Sequence, residues 1–304
     1  MAAQEQSYRQ GVIYILVAEL GWSLSGLFVR LMPGLDGWQI NCWRGFWTGV
    51  CLLVILVVLY GRDTVAKFRL IPWIAIVSSA GFFAIGSTLY VTSLTLVGTA
   101  TISVIGATSP IFAGLLSPWV TGEKPRLSAW FSAVLALGGV SIIAWEQLEL
   151  GNLMAMIICL GVPISFAGQT LALRRYRGVD MVPAICIGGF LSFFAAGFLG
   201  FTAGHAFGGF DVSPRNVLML AAMGLLQLAI PLFFYARGAR SVQAVTLALI
   251  VMLDAVLNPL WPWMFLGETP NRTDFIGGSV IIGAVIISIF GGHWMDFRRS
   301  VAKA

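Results

Sequence analysis

Three ionisable side chains lie deep within stretches that carry almost no other charge: Glu19, Arg44 and Asp254. A charge in the hydrocarbon of a membrane costs roughly 2.5–3.5 kcal/mol on insertion scales, and residues kept at that cost mark functional sites. At 1.5 Å of rise per helical residue, Asp254 lies about 20 Å from one end of its apolar stretch and Glu19 about 14 Å into its own. Either carboxyl group could hold a proton or a substrate ammonium, and Arg44 could hold a carboxylate. The structural alternative for each is equally definite. Arg44 would pair with one of the acids, and Glu19 would instead make an inter-helix hydrogen bond.

Rings and neutral polar groups recur at helical spacing around these charges. Trp22, Ser23 and Gly26 share a face with Glu19, and Ser79, Phe83, Ser87 and Tyr90 form a second stripe. An amino-acid-sized ligand needs an apolar, ring-lined pocket with a few fixed polar groups. Trp22, Phe83, Tyr90, Phe166 and Tyr235 supply candidate rings; Ser23, Ser87, Thr101, Gln169, Gln227 and Thr246 supply candidate hydrogen bonds. Ordinary bundle packing is the alternative for each. Pro110, Pro163, Pro231 and Pro259 interrupt helix hydrogen bonding and are candidate hinges or fixed kinks. Cys42, Cys51, Cys159 and Cys186 include no C-x-x-C pair and read as buried thiols, with no disulfide, metal site or cofactor expected.

The elements that must position these groups follow from composition. The chain is 58% hydrophobic and 10% charged, against roughly 25% charged in a soluble domain. Residues 70–122 carry no charge at all. A polytopic membrane protein is implied, since too little polar surface remains for solution. Helices need roughly 20 apolar residues to cross the hydrocarbon core. The charge-poor stretches give ten spans, near 11–31, 38–60, 70–94, 98–121, 126–145, 150–173, 181–204, 215–236, 241–266 and 273–292. The first is read as a retained helix, without a small-residue cleavage site. Span seven, rich in Gly and Phe, reads as lipid- or bundle-facing filler.

The chain also repeats itself. A shift of 145 positions lays Tyr90 on Tyr235, Val97 on Val242 and Thr101 on Thr246. The same shift lays Gly122, Glu123 and Pro125 on Gly267, Glu268 and Pro270, then Gly138, Val140 and Ile142 on Gly283, Val285 and Ile287. Fixed-period self-similarity marks a duplicated unit. Residues 1–145 and 146–292 are therefore expected to be two five-span repeats, followed by a basic tail at 293–304. Five is odd, so the second repeat is expected to insert upside down relative to the first. The fold class expected is all-α integral membrane, ten helices in two inverted repeats. With both termini cytoplasmic, fourteen Lys and Arg fall inside and only Arg30, Arg215 and Arg272 outside, the bias of cytoplasmic loops. The net charge of +5 thus reports topology and calls for no nucleic-acid partner. Glu123 and Glu268 are expected to cap the helices that begin just after them.

Inverted repeats are a recurrent construction of secondary transporters. Ten spans in two such halves, with G-E-x-P at Gly122–Pro125 and Gly267–Pro270, resemble the EamA-type exporters of the drug/metabolite transporter superfamily. Among these the chain looks most similar to aromatic amino acid exporters of the YddG type. The resemblance implies export of small metabolites, amino acids or drugs, across the bacterial inner membrane, with the bilayer and a small solute as partners. The sequence has no G-x-x-x-x-G-K-[ST] loop to cradle a nucleotide phosphate, and no ATPase partner is expected. A membrane enzyme would want clustered His, Asp or Cys, whereas His205 and His293 are far apart. A passive channel leaves the duplication unexplained.

Overall fold

The computed structural model describes the backbone of residues 2–97, 99–145, 153–202, 204, 208–267 and 271–301; side chains are described between 6 and 289, leaving out also 94–95 and 99–100. Glu146, Glu149, His205, Glu268 and Pro270 lie outside these residues, as does the side chain of His293. Among the described residues ten helical spans are long and apolar enough to cross a membrane: Gln6–Leu31, Gly37–Arg69, Trp73–Ser93, Thr101–Val120, Leu127–Ala144, Leu153–Arg175, Val182–Thr202, Pro214–Gly238, Ala244–Leu266 and Arg272–Ile289, numbered 1 to 10 below. The helix of span 10 continues to Val301, so residues 293–301 of the basic tail extend that helix.

Local chemistry sets the element ends. Span 2 opens on a capping box: Asp36 accepts from Trp38 N at 2.6 Å and Gln39 N at 3.0 Å, and the Gln39 side chain accepts from Asp36 N at 3.1 Å. Spans 4 and 9 both end on a glycine in the left-handed region, Gly122 at φ 73° and Gly267 at φ 75°. Side chains with a Cβ avoid that region, so the glycine of each G-E-x-P turn is there for its backbone.

Spans 2 and 7 run along each other, as do 5 and 10, 3 and 6, 1 and 8, and 4 and 9. Exchanging each span for the one five places on leaves this set of pairs unchanged. Small residues set the closest approaches, as in helix packing within lipid generally. A Cβ on Gly189 would meet Gly49 N at 2.8 Å and Gly45 O at 2.9 Å, and one on Gly139 would meet Gly277 O at 2.8 Å. Span 7 faces the bundle on one side and leaves Phe194 and Phe198 exposed on the other. It is wedged between spans 2 and 3, with Val182–Cys186 buried.

Five of the spans depart from regular helix, span 2 at the 3-10 turn Gly61–Asp63. Span 1 tightens into a turn at Ser23–Leu24, span 4 at Ala107–Thr108, and span 9 at Met252–Leu253 and again at Asn258–Pro259. Span 8 has a π-helical turn over Gly224–Ala229, just before Pro231. Pro110, Pro231 and Pro259 thus adjoin irregular segments, whereas Pro163 lies inside the unbroken helix Leu153–Arg175. The turns in spans 4 and 9 are again 145 positions apart. Those in spans 1 and 8 have no counterpart in spans 6 and 3.

Packing density differs between the two ends. Every residue of Ala244–Ile250 in span 9, and of the last two turns of span 6 from Ala167 to Arg174, is buried. From Leu253 to Trp261 every residue of span 9 is partly exposed. The bundle is sealed at the end bearing Arg174, Arg175, Arg237 and Arg240, and looser at the other.

Candidate functional site

Glu19 is fully buried on span 1, and neither carboxyl oxygen has a hydrogen-bond partner among the described residues. It lies within electrostatic reach of Asp254 on span 9. Asp254 interacts with the Asn258 side chain one turn on, and its Oδ1 is likewise unpartnered. A carboxylate buried in this way is stable only when a proton or a cation satisfies it. Two acids of the same sign brought together sharpen that requirement.

Arg44 pairs with neither acid among the described residues, contrary to the structural alternative stated above. Its Nη2 donates to Asn41 Oδ1 at 3.0 Å and to Ser87 Oγ at 3.3 Å, and Ser87 in turn donates to Asn41. Asn41 stands three residues before Arg44 on the same helical face, a signal the sequence offered and the candidate set missed. Neutral partners hold the guanidinium in place without neutralising it. Its Nε remains unpartnered.

Tyr90 connects these groups. It is in electrostatic reach of Arg44 on span 2 and of Asp254 on span 9, yet 40% exposed. Tyr90 keeps this exposure although charged groups on two other spans flank it. Tyr235, its counterpart in the repeat, is 1% exposed and bonds Thr170 through its hydroxyl at 2.7 Å. It packs in a ring cluster with Trp22 and Phe166: centroids lie 5.0 Å apart for Trp22–Tyr235, 6.4 Å for Trp22–Phe166 and 6.0 Å for Phe166–Tyr235. Glu19 is within electrostatic reach of Tyr235 as well as of Asp254.

The remaining candidates divide. Gln169 and Gln227 are buried, each with one side-chain atom unpartnered, Nε2 and Oε1 respectively. Phe83 is half-buried and packs against Gly188. Thr101 is buried, and Thr246 is bonded by Ser288 at 3.3 Å toward span 10. Ser23 is occupied by structure: its hydroxyl donates to Leu20 O at 2.9 Å and accepts from Trp261 Nε1 at 2.8 Å. Asn258 completes this clasp between spans 1 and 9, accepting from Gly26 N at 3.0 Å and donating to Ser25 Oγ at 3.2 Å. Hydrogen bonds between spans average about 0.6 kcal/mol. Asn258→Ala is therefore expected to cost about 1 kcal/mol, read as a lowered melting temperature of the detergent-solubilised protein. An unchanged melting temperature would show the clasp to be idle.

At the sealed end Arg174, 4% exposed, forms an ion pair with Glu123 and donates to Ala239 O at 2.8 Å. Tyr60 donates to Asp180 at 2.5 Å, and Arg240 lies 3.6 Å from the same carboxylate. Glu123 is thus no helix cap. The helix Leu127–Ala144 starts after Arg126 with no side-chain cap bond. A buried guanidinium needs a counter-ion more than a helix end needs an anion.

Comparison with known proteins adds the family. The model of the EamA-like transporter family matches residues 9–145 and again 151–290. YdfC of Bacillus subtilis (strain 168), described as an uncharacterized transporter, is 26% identical over 188 residues, 60% of this chain and 60% of its own length. That relative is therefore matched over less than two thirds of its length. YwfM of the same organism, also an uncharacterized transporter, is 23% identical over 290 residues, 91% of this chain and 93% of its own. Protein LicB of Haemophilus influenzae is 25% identical over 57% of this chain and 62% of its own length. A crystal structure of another protein superposes with a TM-score of 0.77 over 91% of this chain and 96% of that one at 16% identity, showing a shared fold. With each five-span half matched in turn, the chain belongs to the EamA-like transporter family of the drug/metabolite transporter superfamily.

Proposed function

We propose that this membrane transporter is a secondary carrier exporting small amphipathic metabolites, neutral and aromatic amino acids foremost, by alternating access through a hollow between the two repeats, opening at Tyr90. The observation that carries this is the unlike fate of two equivalent tyrosines. Tyr90 is open at 40% exposure while Tyr235 is sealed at 1%. Inverted repeats that exchange conformations turn one state into the other. The exchanged state would bury Tyr90, open Tyr235 toward the basic end, straighten spans 1 and 8, and bend spans 6 and 3 instead. The positive-inside bias supports reading that basic end as the cytoplasmic one, in a bacterial inner membrane.

Charge placement supports the substrate class. Arg44 on one wall and Asp254 with Glu19 on the other match a zwitterion, carboxylate to guanidinium and ammonium to carboxylate. The rings of Trp22, Phe166 and Tyr235 offer an apolar floor for its side chain. With both oxygens unpartnered, Glu19 can hold either a proton or the ammonium, so the two would compete for one position. That competition is a means of coupling export to proton entry.

The test is counterflow in proteoliposomes with labelled amino acids, nucleosides and dyes. Saturable uptake of tryptophan or phenylalanine, competed by other amino acids, is the expected result. Transport of a dye with every amino acid refused would shift the substrate to multidrug type, and unsaturable conductance would mean a pore. Glu19→Gln is expected to abolish pH-driven uptake while downhill exchange continues. Unchanged pH dependence would remove Glu19 from the coupling step.

A further inference from the structure

Between the ends of spans 4 and 6, outside the hollow, lies a cleft of about 580 Å³ lined by Trp119, Thr121, Glu123, Arg174, Arg175 and Arg177 among others. Three of these are arginines within four residues. Glu123 neutralises Arg174, but Arg174 Nε has no partner although the residue is 4% exposed. Arg175 spends one nitrogen on Val120 O at 2.6 Å and is otherwise exposed. Arg177 is exposed and forms no ion pair among the described residues. Lys124 is exposed on the adjoining turn. The excess charge in the cleft is positive, and it is of the planar, multi-donor kind that matches phosphate oxygens in pairs.

A lipid-directed wall adjoins it. Trp119 is 80% exposed and Leu115, one turn earlier on the same face, 51% exposed. Tryptophans concentrate where hydrocarbon meets headgroups, and basic pockets between membrane helices on the cytoplasmic side hold anionic headgroups. We infer that this cleft binds the phosphodiester headgroup of an anionic phospholipid, with Arg175 and Arg177 on the phosphate and the acyl chains running along Trp119 and Leu115. Its position beside the Glu123–Arg174 pair lets the bound phosphate draw on Arg174 Nε without breaking the pair. The site is independent of what the carrier transports.

Titration of the full-length protein in neutral detergent with short-chain phosphatidylglycerol tests it, following the melting temperature, with phosphatidylcholine and inorganic phosphate as parallel arms. Phosphatidylglycerol is expected to stabilise the wild type saturably and phosphatidylcholine not at all. Each arginine near an anionic lipid contributes about fivefold in affinity. Arg177→Gln is therefore expected to raise the half-saturation concentration about fivefold, and the Arg175→Gln/Arg177→Gln pair about twenty-five-fold. Should the double variant fail to fold, the single variant and the charge-keeping Arg177→Lys still decide the matter. Equal stabilisation by inorganic phosphate, lost in the same variants, would keep the phosphate site but assign it to a soluble anion. No stabilisation by either phosphate, or the same titration in Arg177→Gln as in wild type, would overturn the inference.

Discussion

Gly189→Leu is expected to yield almost no folded protein. Span 7 meets span 2 backbone to backbone, and the atoms a Cβ would strike at this position, Gly49 N at 2.8 Å and Gly45 O at 2.9 Å, are main chain. Side chains can turn aside; two packed helices can only separate. Separation would also open the contact on the other side of span 7, where Gly188 stands 3.1 Å in Cβ terms from Ala80 Cα. Overpacking of a core by flexible neighbours costs typically 1–3 kcal/mol, occasionally more. Here the loss should exceed about 3 kcal/mol, a large part of the roughly 5–15 kcal/mol that keeps a protein folded. Gly138→Ala is the control, since nothing lies within 4 Å of a Cβ there. Size-exclusion profile and melting temperature in detergent would separate the two. A monodisperse Gly189→Leu protein melting like wild type would show that spans 2 and 7 are not held in this register.

The second large effect concerns the sealed end. Glu123→Gln leaves the Arg174 guanidinium, 3% exposed at its side chain, without its counter-ion. Removing one member of a buried pair costs about 3–5 kcal/mol, more than removing both. The expected order of stability is therefore wild type, then the double variant Glu123→Gln/Arg174→Gln, then Glu123→Gln alone. A double-mutant cycle of melting temperatures reads this directly. Losses that simply add would mean the pair contributes no coupling. Because Arg174 also donates to Ala239 O, it joins spans 4, 6 and 8, and loosening it favours whichever state opens this end.

Much of the architecture was legible because lipid reduces folding to a few rules. The ten spans emerge from charge-poor length, and the repeated turn from one constant shift. The glycine of each G-E-x-P turn proved to occupy the left-handed region, a backbone demand that leaves its mark on sequence. Partners did not emerge. Glu123 and Arg174 are 51 positions apart and Ser23 and Trp261 238 apart, distances at which no local pattern speaks. Arg44 was expected beside an acid, since charge attracts charge, but Asn41 and Ser87 were nearer. The irregular turn of span 8 adjoins Pro231, a candidate kink, whereas the bend in span 1 was hidden. Span 1 bends at Ser23–Leu24 without a proline, and two repeats that read alike cannot say which is bent in a given state.

Cysteine accessibility at the paired tyrosines tests alternating access most directly. In a background lacking Cys42, Cys51, Cys159 and Cys186, Tyr90→Cys and Tyr235→Cys would each be exposed in proteoliposomes to a membrane-impermeant thiol reagent confined to one side. Tyr90→Cys is expected to react from the side opposite the basic end, and Tyr235→Cys only from the basic side, with transported amino acid changing both rates in opposite directions. Reaction of both from the same side, or rates indifferent to every solute, would contradict a central site opened to each side in turn.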